Sequence, residues 1–155
     1  MTVADIKILA QQIVAEARKL SVAHTNEGAA PVSYACIFAH SQSEYQEMVK
    51  VVGELGPVVK ETPMGPIFHI TPLTTESGVF TLLKVRRPED RRPQLGYADF
   101  TVSNYERFKG TYLGTTDFRL ITRPQYEMVE LSDKAFNVLA YYAFPSLPEV
   151  LNTKG

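Results

Sequence analysis

The sequence is poor in the features that mark whole classes of protein. Cys36 is its single cysteine, so no disulfide can form within the chain, and a reducing compartment fits. No stretch reaches the roughly 20 apolar residues that span a bilayer. The N-terminus has no apolar run flanked by basic residues, so no signal peptide is read there. These absences predict a soluble, cytoplasmic protein with no membrane partner. An excess of one charge is missing too. Sixteen basic against 17 acidic side chains leave a net charge of −1, which offers no field for nucleic acid. There is no Gly-rich phosphate loop, nucleophile elbow or zinc-ribbon cysteine spacing.

What is present is a pattern that occurs twice. In Leu95 to Lys109, Asp99 and Thr101 alternate with Phe100 and Val102, the period of a strand with one buried face. Ser103 and Glu106 then read as the capping box of a helix. Earlier, Val32 to Ala39 reads as a strand, and Ser41 with Glu44 as another capping box. Tyr97-Ala98 lies 63 residues after Tyr34-Ala35, Ser103 lies 62 after Ser41, and Thr122-Arg123-Pro124 lies 61 after Glu61-Thr62-Pro63. The halves read as diverged copies of one unit. Either copy alone would bury too little surface, so the two are expected to pack as one body.

In chain order, Thr2 to Leu20 is predicted as a helix. Thr2 and Asp5 supply a capping box, and Ile6, Leu9, Ile13, Ala17 and Leu20 an apolar stripe that covers a sheet face. The expected organisation is an N-terminal helix over 1–21, a connector over 22–31, module one over 32–88, a linker over 89–94, module two over 95–145 and a tail over 146–155. Module one adds short strands at Val58–Glu61 and Ile67–Ile70 and an apolar strand at Val79–Val85. Module two adds Phe118–Ile121, Tyr126–Leu131 and Phe136–Phe144, then a helical turn from Leu147. The fold class is therefore α+β: two βαβββ modules packed as one domain, preceded by a helix. The arginines between Arg86 and Pro93 could suggest a phosphate site, but they are interleaved with Glu89 and Asp90, and the favoured reading is a solvated, self-neutralised linker. His24 falls in the connector with no visible partner.

This element order, with Arg92-Pro93-Gln94-Leu95-Gly96-Tyr97-Ala98-Asp99-Phe100 opening the second module, resembles the vicinal-oxygen-chelate superfamily. That group holds glyoxalase I, bleomycin-resistance proteins and extradiol dioxygenases, and the segment looks most like its YecM-like branch. The resemblance covers about Val32 to Pro145. It implies a cleft between the modules, and in the metal-using enzymes a ligand on the first strand of each module and a glutamate on the last. This sequence departs from that pattern. Phe80 to Arg87 and Phe136 to Phe144 hold no carboxylate, and neither first strand holds a histidine.

Alternation assigns faces. With Ala98, Phe100 and Val102 toward the helices, Tyr97, Asp99 and Thr101 take the other face, and the repeat puts Tyr34, Cys36 and Phe38 with them. In this fold that face lines the cleft. The expected function is binding of a small polar organic molecule there, with Arg119 as a further contact and Asp99 as polar anchor. No cofactor is predicted. The alternative is a metal-dependent lyase, isomerase or oxygenase using a divalent metal on Cys36, His69, Asp99 and Glu130, which the repeat pairs two by two. A third reading is a homodimeric interaction protein. Nucleophilic catalysis by Cys36, with His40 or His69 as base, is disfavoured by its mid-strand position.

Overall fold

The structure is a computed structural model that describes residues 1–151; residues 152–155 of the expected tail lie outside the described residues. It begins with helix α1 (Val3–His24). Thr2 Oγ1 accepts the Asp5 N–H, and Asp5 Oδ2 accepts the Thr2 N–H, closing the capping box. The helix runs four residues past the expected Leu20. Tertiary contacts hold its last turn: Tyr142 Oη donates to Ser21 Oγ at 2.6 Å, and His24 Nε2 lies 2.8 Å from Asp133 Oδ2. His24 is thus a docking residue, against the expectation that it had no partner.

Two units of the same order follow. The first is β1 (Val32–Phe38), α2 (Gln42–Gly53), β2 (Val58–Thr62), β3 (Gly65–Thr75) and β4 (Gly78–Arg86). The second is β5 (Gly96–Phe100), α3 (Tyr105–Tyr112), β6 (Phe118–Thr122), β7 (Glu127–Leu131) and β8 (Leu139–Phe144), with a last turn α4 (Leu147–Val150). The fold is α+β, as expected. Among the described residues, no helix is long and apolar enough to cross a membrane.

Several boundaries correct the sequence reading. Helix α3 is capped by Asn104, not Ser103; Asn104 Oδ1 accepts the Arg107 N–H at 3.1 Å. Asparagine caps as well as serine, and the start one residue later turns Tyr105 and Phe108 into the core. At α2, Ser41 is the cap, but Glu44 reaches back to the His40 N–H, so only half of the expected box forms. Strand β3 is eleven residues long, not four. It runs through Pro66 and Pro72, which donate no ladder hydrogen bond, and a register shift between His69 and Leu73 accommodates the second proline. Strand β8 starts at Leu139 because Asp133 Oδ1 caps the Ala135 N–H and turns the preceding residues.

The eight strands form one sheet in the order β2-β3-β4-β1-β5-β8-β7-β6. Each half is the same four-strand set, and the first strands β1 and β5 join them antiparallel. The registers show the repeat. Ile67 faces Lys84 as Met128 faces Ala143, and His69 faces Leu82 as Glu130 faces Tyr141. The parallel pairs differ: Ala35 faces Leu83, whereas Ala98 faces Ala140, two residues short of the repeat position. A slip of two keeps every side chain on its face.

The helices cover one face. Ile6, Ala10, Ile13, Val14, Ala17 and Leu20 of α1 are buried, and α1 packs on β1, β5 and β8. Ala35, Ile37, Ala98 and Phe100 meet them in one apolar cluster. Tyr34, Cys36, Phe38 and Tyr97 belong to a separate cluster on the opposite face, so the alternation assigned the faces correctly. Ile13→Ala should lower unfolding stability by about 2–5 kcal/mol. Ile8→Ala, on the outer side of the same helix, should change it by less than about 0.5 kcal/mol. Urea denaturation of the two variants checks the packing of α1.

Candidate functional site

The face without helices encloses a cavity of about 940 Å³. Lys60 of edge strand β2 and Arg119 of edge strand β6 both line it, so the sheet curls until its two edges share one hollow. Leu147 and Leu151, from and after α4, close part of its wall.

Aromatic residues make the floor. Tyr34 and Tyr97 sit on β1 and β5, with hydroxyls 2.6 Å apart and rings edge to face. Tyr97 also packs on Tyr141 at 4.2 Å between centroids. Tyr141 donates its hydroxyl to Glu130 Oε2 at 2.8 Å. Burial pushes the hydroxyls of Tyr34, Tyr97 and Tyr141 up, so all three stay neutral hydrogen-bonding groups.

The walls carry positive charge. Lys60, Lys84, Arg86, Arg92, Arg119 and Arg123 line the cavity, and no aspartate or glutamate does so among the described residues. Some of these cations are engaged. Arg86 Nη2 pairs with Glu89. Arg92 and Arg119 flank the buried Glu130 at 3.4 and 3.3 Å. Arg92 is therefore a wall residue rather than a solvated linker side chain, because the linker folds back onto β7. The Arg86 guanidinium also sits 5.1 Å from the centre of the Phe38 ring, while its Nε is buried with no hydrogen-bond partner.

Lys84 stands out. It lies on β4 opposite Cys36 of β1 and Ile67 of β3. Its side chain is partly buried, and it makes no ion pair with any described residue. Burial, with Arg86 and Arg123 nearby, lowers the pKa of its ammonium. Lys84 and Arg86 are two residues apart on one strand, so both reach the same side of the sheet.

The structure divides the residues proposed from sequence. Tyr34, Tyr97 and Arg119 line the cavity; Cys36, Phe38, Asp99 and Thr101 do not. Cys36 is fully buried, and its Sγ points to the Ile37 carbonyl at 3.8 Å. Burial raises its thiol to about 11, and His40 and His69 are both exposed. Thr101 has left β5, and its N–H is bonded to the Pro31 carbonyl. Asp99 lies beneath the floor at 1% exposure. Its Oδ1 accepts the Ala143 N–H at 3.2 Å, while Oδ2 is buried without a partner. It is a structural carboxyl of the β5–β8 seam rather than an anchor that faces the cavity.

The four candidate metal ligands are not brought together. No three His, Cys, Asp or Glu side chains converge among the described residues. The register explains the separation. Cys36 is opposite Tyr97, and Asp99 is opposite Tyr34 and Tyr141, so a phenol follows each candidate across the sheet. Glu130 is held by two arginines, and His69 faces solvent. Sequence reasoning missed Lys84, Arg86, Arg92, Arg123 and Tyr141. One signal was available: Lys84 is the single charge inside the mostly apolar Val79–Val85 run.

Burial raises the Asp99 carboxyl from 3.8 to about 7. The folded state thus binds a proton that the unfolded chain releases near pH 4, and stability falls as pH rises between the two values. The full difference is about 4 kcal/mol. Urea melts from pH 4 to pH 8 should show this decline in the wild type. They should show a flatter profile in Asp99→Asn, which keeps an oxygen acceptor for the Ala143 N–H.

No family model matches the chain, and no curated protein matches it. Among solved structures, one described as "Structural Genomics, Protein EC4020" is similar, with a TM-score of 0.74 at 11% identity over 98% of this chain and 92% of that one. That likeness shows the fold.

Proposed function

We propose that this chain binds a small organic anion in the cavity of its curled sheet, on a fold of the vicinal-oxygen-chelate type. The observation that carries the reading is Lys84, a partly buried ammonium with no carboxylate on the walls around it. Burying a cation without a counter-ion is costly, and an anionic occupant supplies the missing partner. The orphaned Arg86 Nε offers a second donor on the same side of the strand. The ligand has an apolar or aromatic body as well as its charge, because Ile67, Met128, Leu147 and the Tyr97–Tyr141 pair share the cavity with the cations. A volume of about 940 Å³ suits a molecule of ordinary metabolite or drug size.

Two repeated βαβββ units joined through their first strands support the superfamily reading. No observation favours the metal-dependent alternative, since its four candidate ligands lie apart.

Isothermal titration with phenylacetate and with phenethylamine tests the charge preference. The acid should bind and the amine should not, and affinity should fall as salt rises. Lys84→Gln should weaken phenylacetate at least about tenfold, or ~1.4 kcal/mol. Equal affinity for acid and amine would sink the reading.

A further inference from the structure

We propose that Lys84 is a covalent site: its amine forms an imine with an organic anion that carries a ketone or aldehyde, 2-oxo carboxylates being the substrate class. This inference rests on the anion-site reading and goes one step beyond it.

The surroundings of the amine make the case. Lys84 points from β4 to the cavity side of the sheet, between the positions of Cys36 and Ile67. The side chains that act on it are two cations, Arg86 and Arg123, and one buried thiol, Cys36. The Cys36 thiol and the Tyr34, Tyr97 and Tyr141 phenols are held protonated by burial. Two carboxylates whose partners line the cavity are already engaged, Glu89 with Arg86 and Glu130 with Arg92 and Arg119. A lysine set among cations in a desolvated hollow gives up its proton more readily than one in water, and the free amine is a nucleophile. The lowered pKa of Lys84 agrees with this. Lys60, the other lysine on the wall, is exposed.

The same arrangement selects the substrate. Arg86 lies about 7 Å further along the strand on the same side, with a free Nε. It can take the carboxylate while the carbonyl carbon next to that carboxylate meets the amine. In the step, the Lys84 nitrogen attacks the carbonyl carbon to form a C–N bond. The carbonyl oxygen takes two protons, both originally on the amine, and leaves as water, so a neutral C=N bond remains. No oxidation state changes and no co-reactant is needed. The imine can take up a proton from solvent, which turns it into an electron sink for the neighbouring carbon.

Reductive capture tests the proposal on the full chain. Phenylpyruvate is the probe, with sodium cyanoborohydride to fix any imine, and phenyllactate is the analogue that lacks the carbonyl. The expected result is one adduct per chain, mapped by peptide mass spectrometry to Lys84. Capture there should exceed that at Lys60 at least about tenfold, and phenyllactate should protect against it. Lys84→Arg keeps the positive charge; it should bind phenyllactate by calorimetry and capture nothing in the cavity. Phenyllactate binding with capture spread evenly over surface lysines would overturn the covalent step alone. No binding of phenyllactate together with no capture at Lys84 would overturn the anion site as well. Protection of the wild-type lysine is read on unmutated protein, so the outcome does not depend on the variant folding.

Discussion

The antiparallel pairing of β1 with β5 is the contact on which both faces of the molecule depend. It is the seam where the two halves meet in the sheet order, and it fixes which side chains go up and which go down. Ala35 faces Ala98, so two small residues meet under α1; Cys36 faces Tyr97 and Tyr34 faces Asp99 on the other side. The strands come very close here. A Cβ on Gly96 would fall 2.0 Å from the Cys36 carbonyl oxygen, so only glycine fits the last step of the seam. Helix α1 then lies over this central region, burying its stripe against β1, β5 and β8 together.

From that seam the two faces acquire different chemistry. The helix side is closed by apolar packing, with Tyr142 bonded to Ser21 beneath it. The cavity side is left to aromatic rings, hydroxyls and cations. Within it, charges fall into two groups. Glu130 with Arg92 and Arg119 is a compensated cluster at the β7 side, whose carboxylate also takes the Tyr141 hydroxyl. Lys84 on β4 has no carboxylate partner among the described residues, and Arg86, though paired with Glu89, keeps a buried Nε without one. The repeat makes the contrast sharp, because the register position of Lys84 in the second half is held by Ala143. The two halves therefore share a backbone plan but not an electrostatic one, and the site is asymmetric within a symmetric frame.

Much of the frame was legible from the residues because it rests on local rules. Alternation placed Tyr34 and Tyr97 opposite the helices, the Thr2–Asp5 box started α1, and the 63-residue offset matched β1 to β5. The cavity's charge was not legible in the same way. Arg92 looked solvated because Glu89 and Asp90 are its sequence neighbours, yet its partner is Glu130, reached only by folding. Asp99 was placed on the correct face, but alternation says nothing of depth. The chain at Ala143 comes close enough to bond its carboxyl, so it closes the sheet instead of facing the cavity. The run of β3 past Ile70 was not legible locally, since the bulge that tolerates Pro72 is a property of the strand pair rather than of the segment.

The two-residue slip between the parallel pairs has a bearing on how such a molecule changes over generations. Side chains in a strand alternate, so the copies can drift apart only in even steps. An odd step in β8 would have turned Tyr141 toward the helices and Tyr142 into the cavity, losing the bonds to Glu130 and to Ser21 in one event. Insertions and deletions in the core strands are thus filtered by parity before they are filtered by chemistry. Loops are under no parity rule, although the 87–95 connection is held by Glu89 and Arg92, so the ancestry of the halves will blur first in turns without such pairs.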